Sequence, residues 1–406
     1  MPAWSAPIAA ASRRCPVPAP ANVDFARIWP LQAGAATVLL AGALHFTLTP
    51  AYAQAAGFSA AQLGMIGSAY YVGFLMGSLL NPIAFRQLGH RRLFALYAVF
   101  IAAAVALQPL LPGPVQWFIL RAAVGFLAAG MFAALESWLN AVATNANRGR
   151  TLSAYSMSNQ VALAGGQFLF TLTPVEGGAG FYISAAILLL SIAPFSAMTG
   201  HPPPAPAERR IRLGTLSRRS PVAFAGFVTN GLATAPFWVL GPVFARDSGF
   251  DQAAVALFIS LPVFGSFAAQ WPAARLSDGM DRRLVILPVA TLAALAAIGV
   301  ALTSGHGPGW PIFTLAVCFG GTAFLINMLA SAHMNDRVPH AELTEAAGAS
   351  FLAYGAASVI GPLTASLAMG WLGPAGLFWH AALILGAFAL FTFTRLLIRE
   401  PVKPEA

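Results

Sequence analysis

The stretch TPAYAQAAGFSAAQLGMIGSAYYVG, Thr49 to Gly73, is written again as GPVFARDSGFDQAAVALFISLPVFG, Gly241 to Gly265. Pro50 meets Pro242, Gly57 and Phe58 meet Gly249 and Phe250, and Gly73 meets Gly265, at a constant offset of 192 without a gap. Farther along, Arg91-Arg92-Leu93 returns as Arg282-Arg283-Leu284, and Gly113-Pro114 with Trp117 returns as Gly307-Pro308 with Trp310. Self-similarity at about half the chain length means two copies of one structural unit.

Composition says which solvent those copies face. Hydrophobic residues are 58% of the chain and charged residues only 9%, against roughly 25% charged in an ordinary soluble domain. The chain therefore reads as an all-α polytopic membrane protein. Apolar windows of about 20 residues, one helical crossing each, number twelve: near 30–52, 60–84, 93–111, 115–139, 151–174, 179–199, 221–245, 252–273, 284–303, 310–333, 346–370 and 374–396. They imply two pseudo-symmetric six-helix bundles, 28–199 and 221–397. A Pro-rich basic linker, 200–220, joins them. Residues 1–27 are read as a disordered cytoplasmic lead-in without a signal-peptide core, and 398–406 as a cytoplasmic tail.

Of 22 Arg and Lys, 20 fall on one side of this topology; only Arg246 lies on the other, and Arg121 lies inside a span. By the positive-inside rule that side is cytoplasmic and carries both termini, which in a bacterium means the inner membrane. The same placement absorbs the formal charge of +9 without nucleic acid. Two cysteines, Cys15 and Cys318, are too few for a disulfide or metal framework, and no Met-x-x-x-Met or His-x-x-x-Met spacing suggests copper. Lys403 is the only lysine, so the Gly-Lys-[Ser/Thr] of a P-loop is absent and ATP drive through this chain is excluded. With no G-x-S-x-G and no H-E-x-x-H, no enzyme is expected. No cofactor is expected either. Two similar apolar halves are the build of many transporters, with the solute site at their interface.

Loop motifs sharpen this. Ala274-Arg275-Leu276-Ser277-Asp278-Gly279-Met280-Asp281-Arg282-Arg283 resembles the G-x-x-x-D-R-x-G-R-R loop that the major facilitator superfamily repeats after its second and eighth helices. Asp281 stands there where glycine is usual. The first copy, Pro82 to Arg91, keeps Gly89 and Arg91 but has Arg86 where the acid belongs. Arg121 with Gly125, and Asn147-Arg148-Gly149-Arg150, resemble the family's R-x-x-x-G and R-G-R around the fourth helix. Other pairs, such as Glu136-Ser137 and Gly361-Pro362, are similar to a bacterial subgroup often described as drug-efflux-like. The resemblance implies alternating access, with Gly89, Arg91, Arg92, Asp278, Arg282, Arg283, Arg148 and Arg150 forming a cytoplasmic gate. The bland alternative is that these arginines only anchor topology.

Within the spans, Glu136 is the only acid in or bordering an apolar window. It is either a protonatable coupling group or a latch partner for Arg86, Arg91 or Arg148. Arg121 lies about 9 Å inside the outer end of the fourth span. It either grips an anionic group on the substrate or bonds neighbouring carbonyls and glutamines. With no acid from another span to neutralise it, the expectation leans to an anionic or carboxylate-bearing solute. His45, His333, Asn230, Asn327, Gln160 and Gln167 are cavity candidates, each weighed against ordinary packing and helix–helix hydrogen bonds. The expected activity is secondary transport of a small solute by a monomer in the bilayer, driven by a gradient, with H⁺ favoured. Multidrug or lipophile efflux is an alternative, as is a sensor or assembly factor that moves nothing.

Overall fold

The structure, a computed structural model, describes residues 25–143, 148–198, 203–204 and 213–398. The lead-in before Phe25, Asn147, the Arg148 side chain, most of the linker and the tail beyond Ile398 lie outside the described residues.

Among the described residues, twelve long helices account for the apolar windows. They are α1 (Phe25–Ala55), α2 (Ala60–Leu88), α3 (His90–Leu107), α4 (Pro114–Val142), α5 (Arg148–Leu172) and α6 (Glu176–Ser196), then α7 (Pro221–Asp247), α8 (Gln252–Asp278), α9 (Arg282–Thr303), α10 (Trp310–Arg337), α11 (Leu343–Leu372) and α12 (Gly376–Ile398). A short helix, Leu213–Arg219, precedes α7. Eleven of the twelve are long and apolar enough to cross a membrane; α5 is not among them. Its sequence explains why: Ser153, Tyr155, Ser156, Ser158, Asn159, Gln160 and Gln167 dilute its hydropathy.

The repeated stretch builds the same object twice. The turn after α1 closes with Gly57 at φ +85° and the turn after α7 with Gly249 at φ +81°, a left-handed conformation that favours glycine. Phe58 N donates to Ala53 O and Phe250 N to Ala245 O, both at 3.0 Å. Each following helix is then capped by a side chain, Ser59 on Gln62 N and Asp251 on Ala254 N, which satisfies a backbone donor that the helix cannot.

The other matched glycine sets the helix packing. A Cβ on Gly73 would sit 1.8 Å from the Ala122 carbonyl oxygen of α4, and one on Gly265 would sit 2.2 Å from the Val317 oxygen of α10. The crossings of α2 on α4 and of α8 on α10 are thus backbone-to-backbone contacts that only glycine allows. The halves meet along α2–α11, α1–α7 and α5–α8.

One sequence expectation needs correction. Glu136 is not alone at a helix: Asp247 ends α7, Asp278 ends α8, Asp336 lies in α10 and Glu345 in the first turn of α11. The helices outrun their apolar windows because a continuing helix keeps its backbone hydrogen-bonded into the polar boundary.

Candidate functional site

A cavity of about 500 Å³ lies between the halves. From the first half it is walled by residues of α1 to α6, and from the second by Trp238 of α7, Ile259 to Phe264 of α8 and Phe351 to Gly355 of α11. Rings dominate it: Phe46, Tyr70, Tyr71, Phe74, Phe132, Trp238, Phe264 and Tyr354. Its polar groups are few: the phenols, His45, Gln160, Gln167, Ser184 and Ser260. Among the described residues, no Asp, Glu, Lys or Arg lines it.

Behind one wall lies a buried polar chain. His45 Nε2 is 2.5 Å from Gln108 Oε1, and His45 Nδ1 is 3.5 Å from Arg121 Nη1. Arg121 can only donate, so His45 accepts at Nδ1 and donates from Nε2, the neutral tautomer. The Arg121 side chain, 2% exposed, lies over the faces of Phe46 and Tyr70, 4.7 and 5.0 Å from the ring centroids. Those two rings separate it from the cavity. Gln167 is positioned from α1: it accepts from Thr47 Oγ1 at 3.0 Å and donates to the Ala43 carbonyl at 3.4 Å.

Of the residues singled out from the sequence, His45, Gln160 and Gln167 line the cavity. Arg121 is one ring away. Asn230 is buried and donates to the Ala323 carbonyl at 3.1 Å, a tie between α7 and α10. Asn327 is exposed. His333 is buried beside Arg283, Arg337 and Arg395, at the end of the bundle that carries most of the arginines and away from the cavity. Glu136 is exposed on α4, six residues before its end, and close enough to Tyr155 of α5 to act on it electrostatically. Sequence reasoning missed the aromatic wall. One signal was available: a tyrosine inside an apolar span needs a polar surrounding for its hydroxyl, and Tyr70, Tyr71 and Tyr354 all line the cavity.

At the opposite end the halves are bonded together. Gln54 Nε2 of α1 donates to Asp247 Oδ1 of α7 at 2.5 Å, and Gln252 Nε2 of α8 donates to the carbonyls of Phe170 and Thr173 (2.6 Å to the latter). Gly64 of α2 seats against Ser366 and Pro362 of α11.

At the basic end, the second loop copy forms an ion-pair cluster. Arg282 donates to Asp336 at 2.5 and 3.3 Å, to Ser277 at 2.6 Å and to Asp278 at 3.3 Å. The Asp278 side chain is 73% exposed. Arg283 and Asp281 are buried, 2% and 6% exposed, and meet at 2.6 Å; Arg283 also donates to the Arg395 carbonyl at 2.8 Å. Burial works against the Asp281 charge, but the hydrogen bonds from the Arg283 side chain and backbone outweigh it and hold its pKa below the ordinary carboxylate value. So the residue that departs from the usual glycine holds the buried cation. In the first copy, Gly89 turns the chain at φ +72°. Arg91 donates to the Met198 carbonyl and lies 5.6 Å from the Trp138 ring. Arg92 and Arg150 are exposed.

Comparison with known proteins agrees with this architecture. The Major Facilitator Superfamily profile matches residues 33–362 and 222–406. The chain is 26% identical over 341 residues to an uncharacterized MFS-type transporter, YcaD, of Salmonella enteritidis, covering 84% of this chain and 88% of that protein. The YcaD of Escherichia coli O17:K52:H18 matches equally. Among solved structures, the nucleoside transporter NupG superposes with a TM-score of 0.74 at 14% identity, over 92% of this chain and 99% of that one. A bacterial homologue of the lysosomal transporter Spinster, inward-facing and unoccupied, gives 0.71 at 14% over 95% and 100%. Its helices, its repeat and these matches make the chain a multi-pass membrane protein of the Major Facilitator Superfamily, a family of transporters.

Proposed function

We propose that the chain is a secondary transporter of a lipophilic, ring-bearing small molecule, moved by alternating access through the central cavity. The observation that carries this reading is the cavity itself: both halves wall it, rings line it, and charged side chains do not. A wall of this kind holds a solute by apolar burial and ring contacts, with a few hydrogen bonds to orient it. The direct anionic grip expected of Arg121 gives way here, because Phe46 and Tyr70 stand between.

The state captured has its opposite end bonded shut by Gln54–Asp247 and Gln252, which supports access from the basic end. We read that end as cytoplasmic from the positive-inside rule, so both termini are cytoplasmic and the membrane is a bacterial inner membrane. Glu136 is the carboxylate we assign to proton coupling. Glu136→Gln should abolish net flux driven by a pH gradient and leave solute exchange intact. Loss of exchange as well would make it a structural contact.

The test is a ligand-stabilisation screen of the purified protein in detergent, followed by flux of each hit into proteoliposomes. A ligand at about 100 times its Kd stabilises the fold by roughly 2.7 kcal/mol. Saturable flux of a stabilising lipophile supports transport. Binding without flux would replace it with a sensor.

A further inference from the structure

We propose that the cavity selects its solutes by charge, accepting lipophilic aromatic molecules that are anionic or neutral and rejecting those with a fixed positive charge. The inference rests on the reading of the cavity as the solute site, and adds to it the class of solute.

Three observations carry it. First, among the described residues the lining holds no carboxylate, so a cation leaving water finds no counter-charge there, and a buried unpaired charge is costly. Second, Arg121 is almost fully buried, and its described contacts are the neutral His45 ring nitrogen and the faces of Phe46 and Tyr70. Its Nε donor has no partner among the described residues. The guanidinium therefore keeps its field directed across the cavity wall.

Third, at three of the cavity's rings one of the two faces that could attract a cation is already engaged. Phe46 and Tyr70 each carry Arg121 on one face, and Trp238 is stacked on Phe324 with centroids 5.6 Å apart. A solute charge seated on the cavity side of Phe46 or Tyr70 lies roughly 8 Å from the guanidinium. At an effective dielectric of about 20, that separation favours an anion about 30-fold and disfavours a cation about equally. A neutral solute feels neither effect and binds by burial of its rings.

The experiment uses three shape-matched probes, biphenyl-4-carboxylate, biphenyl-4-carboxamide and biphenyl-4-ylmethylammonium, titrated calorimetrically into the purified full chain at pH 7. The carboxylate and carboxamide should bind at least tenfold more tightly than the ammonium, a margin discounted from the Coulomb figure for residual water. Arg121→Gln should collapse the carboxylate-to-ammonium ratio to within about threefold, and Arg121→Lys should retain it. An ammonium that binds as tightly as the carboxamide in the unaltered protein would overturn the proposal. So would a ratio that survives Arg121→Gln. If Arg121→Gln does not fold, Ser260→Asp places a carboxylate on the other wall and should raise the ammonium's relative affinity at least tenfold; an unmoved ratio overturns charge as the selector. Equal binding of all three leaves the lipophile site standing without charge selection, whereas binding of none removes the lipophile reading itself.

Discussion

Asp281→Asn isolates one charge in a buried pair. Asparagine keeps the shape and the oxygen that accepts from the Arg283 backbone at 3.0 Å, so the cap of α9 survives. What it loses is the anion facing a guanidinium that is 2% exposed, and it turns an amide N–H₂ toward Arg283 Nε and Nη2, which now donate to Asp281 at 3.1 and 2.6 Å. Breaking one side of a buried ion pair costs about 3 kcal/mol or more. The matching change at the motif's own acid, Asp278→Asn, should cost well under about 1 kcal/mol, since that side chain is 73% exposed and its bond is 3.3 Å. Adding Arg283→Met to Asp281→Asn should recover most of the loss, because the orphaned charge leaves with its partner. Detergent-solubilised protein unfolded by heat, followed by tryptophan fluorescence, reads all three variants against the unaltered protein. The sign with pH is fixed: Asp281's folded pKa lies below its ordinary value of 3.8, so the stabilisation is complete above that value and is lost as pH falls through the folded pKa. The gap between unaltered protein and Asp281→Asn should therefore persist from pH 8 to 5 and close only in the acid range below. An Asp281→Asn variant as stable as Asp278→Asn would refute the assignment.

The two glycine crossings should respond alike: Gly73→Val and Gly265→Val each force a Cβ into a carbonyl oxygen, at 1.8 and 2.2 Å, and should destabilise by roughly 1–3 kcal/mol. Gly42→Ala, with nothing within 4 Å, should be silent in the same melt. Gln252→Ala removes two bonds across the opposite seal, at about 1 kcal/mol each. Labelling of a cysteine placed at Ser366 should rise at least fivefold, and an unchanged rate would deny these bonds a gating role. The antiparallel register of α2 and α11, Gly64 against Ser366 and Leu75 against Gly355, would, continued at the same offset, bring Arg86 within one residue of Glu345. Arg86→Glu should slow flux at least threefold and Glu345→Arg restore it in the double variant, a coupling that independent residues would not show.

The fold was legible because its signals are local. Hydropathy marks a crossing within one window, and the offset joining Gly57 to Gly249 and Gly73 to Gly265 states a symmetry that needs no coordinates. The site was legible only in part. His45 and Gln167 could be named as polar groups in apolar spans, but nothing local says that Arg121 spends its charge on rings from α1 and α2. Asn230 reads the same as a cavity group and as a bond to the Ala323 carbonyl. An aromatic residue in an apolar helix also looks identical whether it faces outward, as Trp371 does at 83% exposure, or the cavity, as Trp238 does. Asp281 was passed over for a different reason: motif reading ranks residues by agreement with a pattern, and here the deviation took over the burial.

The polar helix α5 has a consequence for how this protein is made. A segment diluted by Ser, Asn and Gln partitions poorly into lipid by itself, yet Gly166 lets it press so close to α1 that a Cβ there would sit 2.5 Å from the Leu40 carbonyl oxygen. It must therefore await a companion during synthesis, lodging against α1 as it leaves the insertion machinery. The helix that brings Gln160 and Gln167 to the cavity is the one least able to enter the bilayer alone, so Gly166→Leu should show itself as failed biogenesis before any flux could be measured.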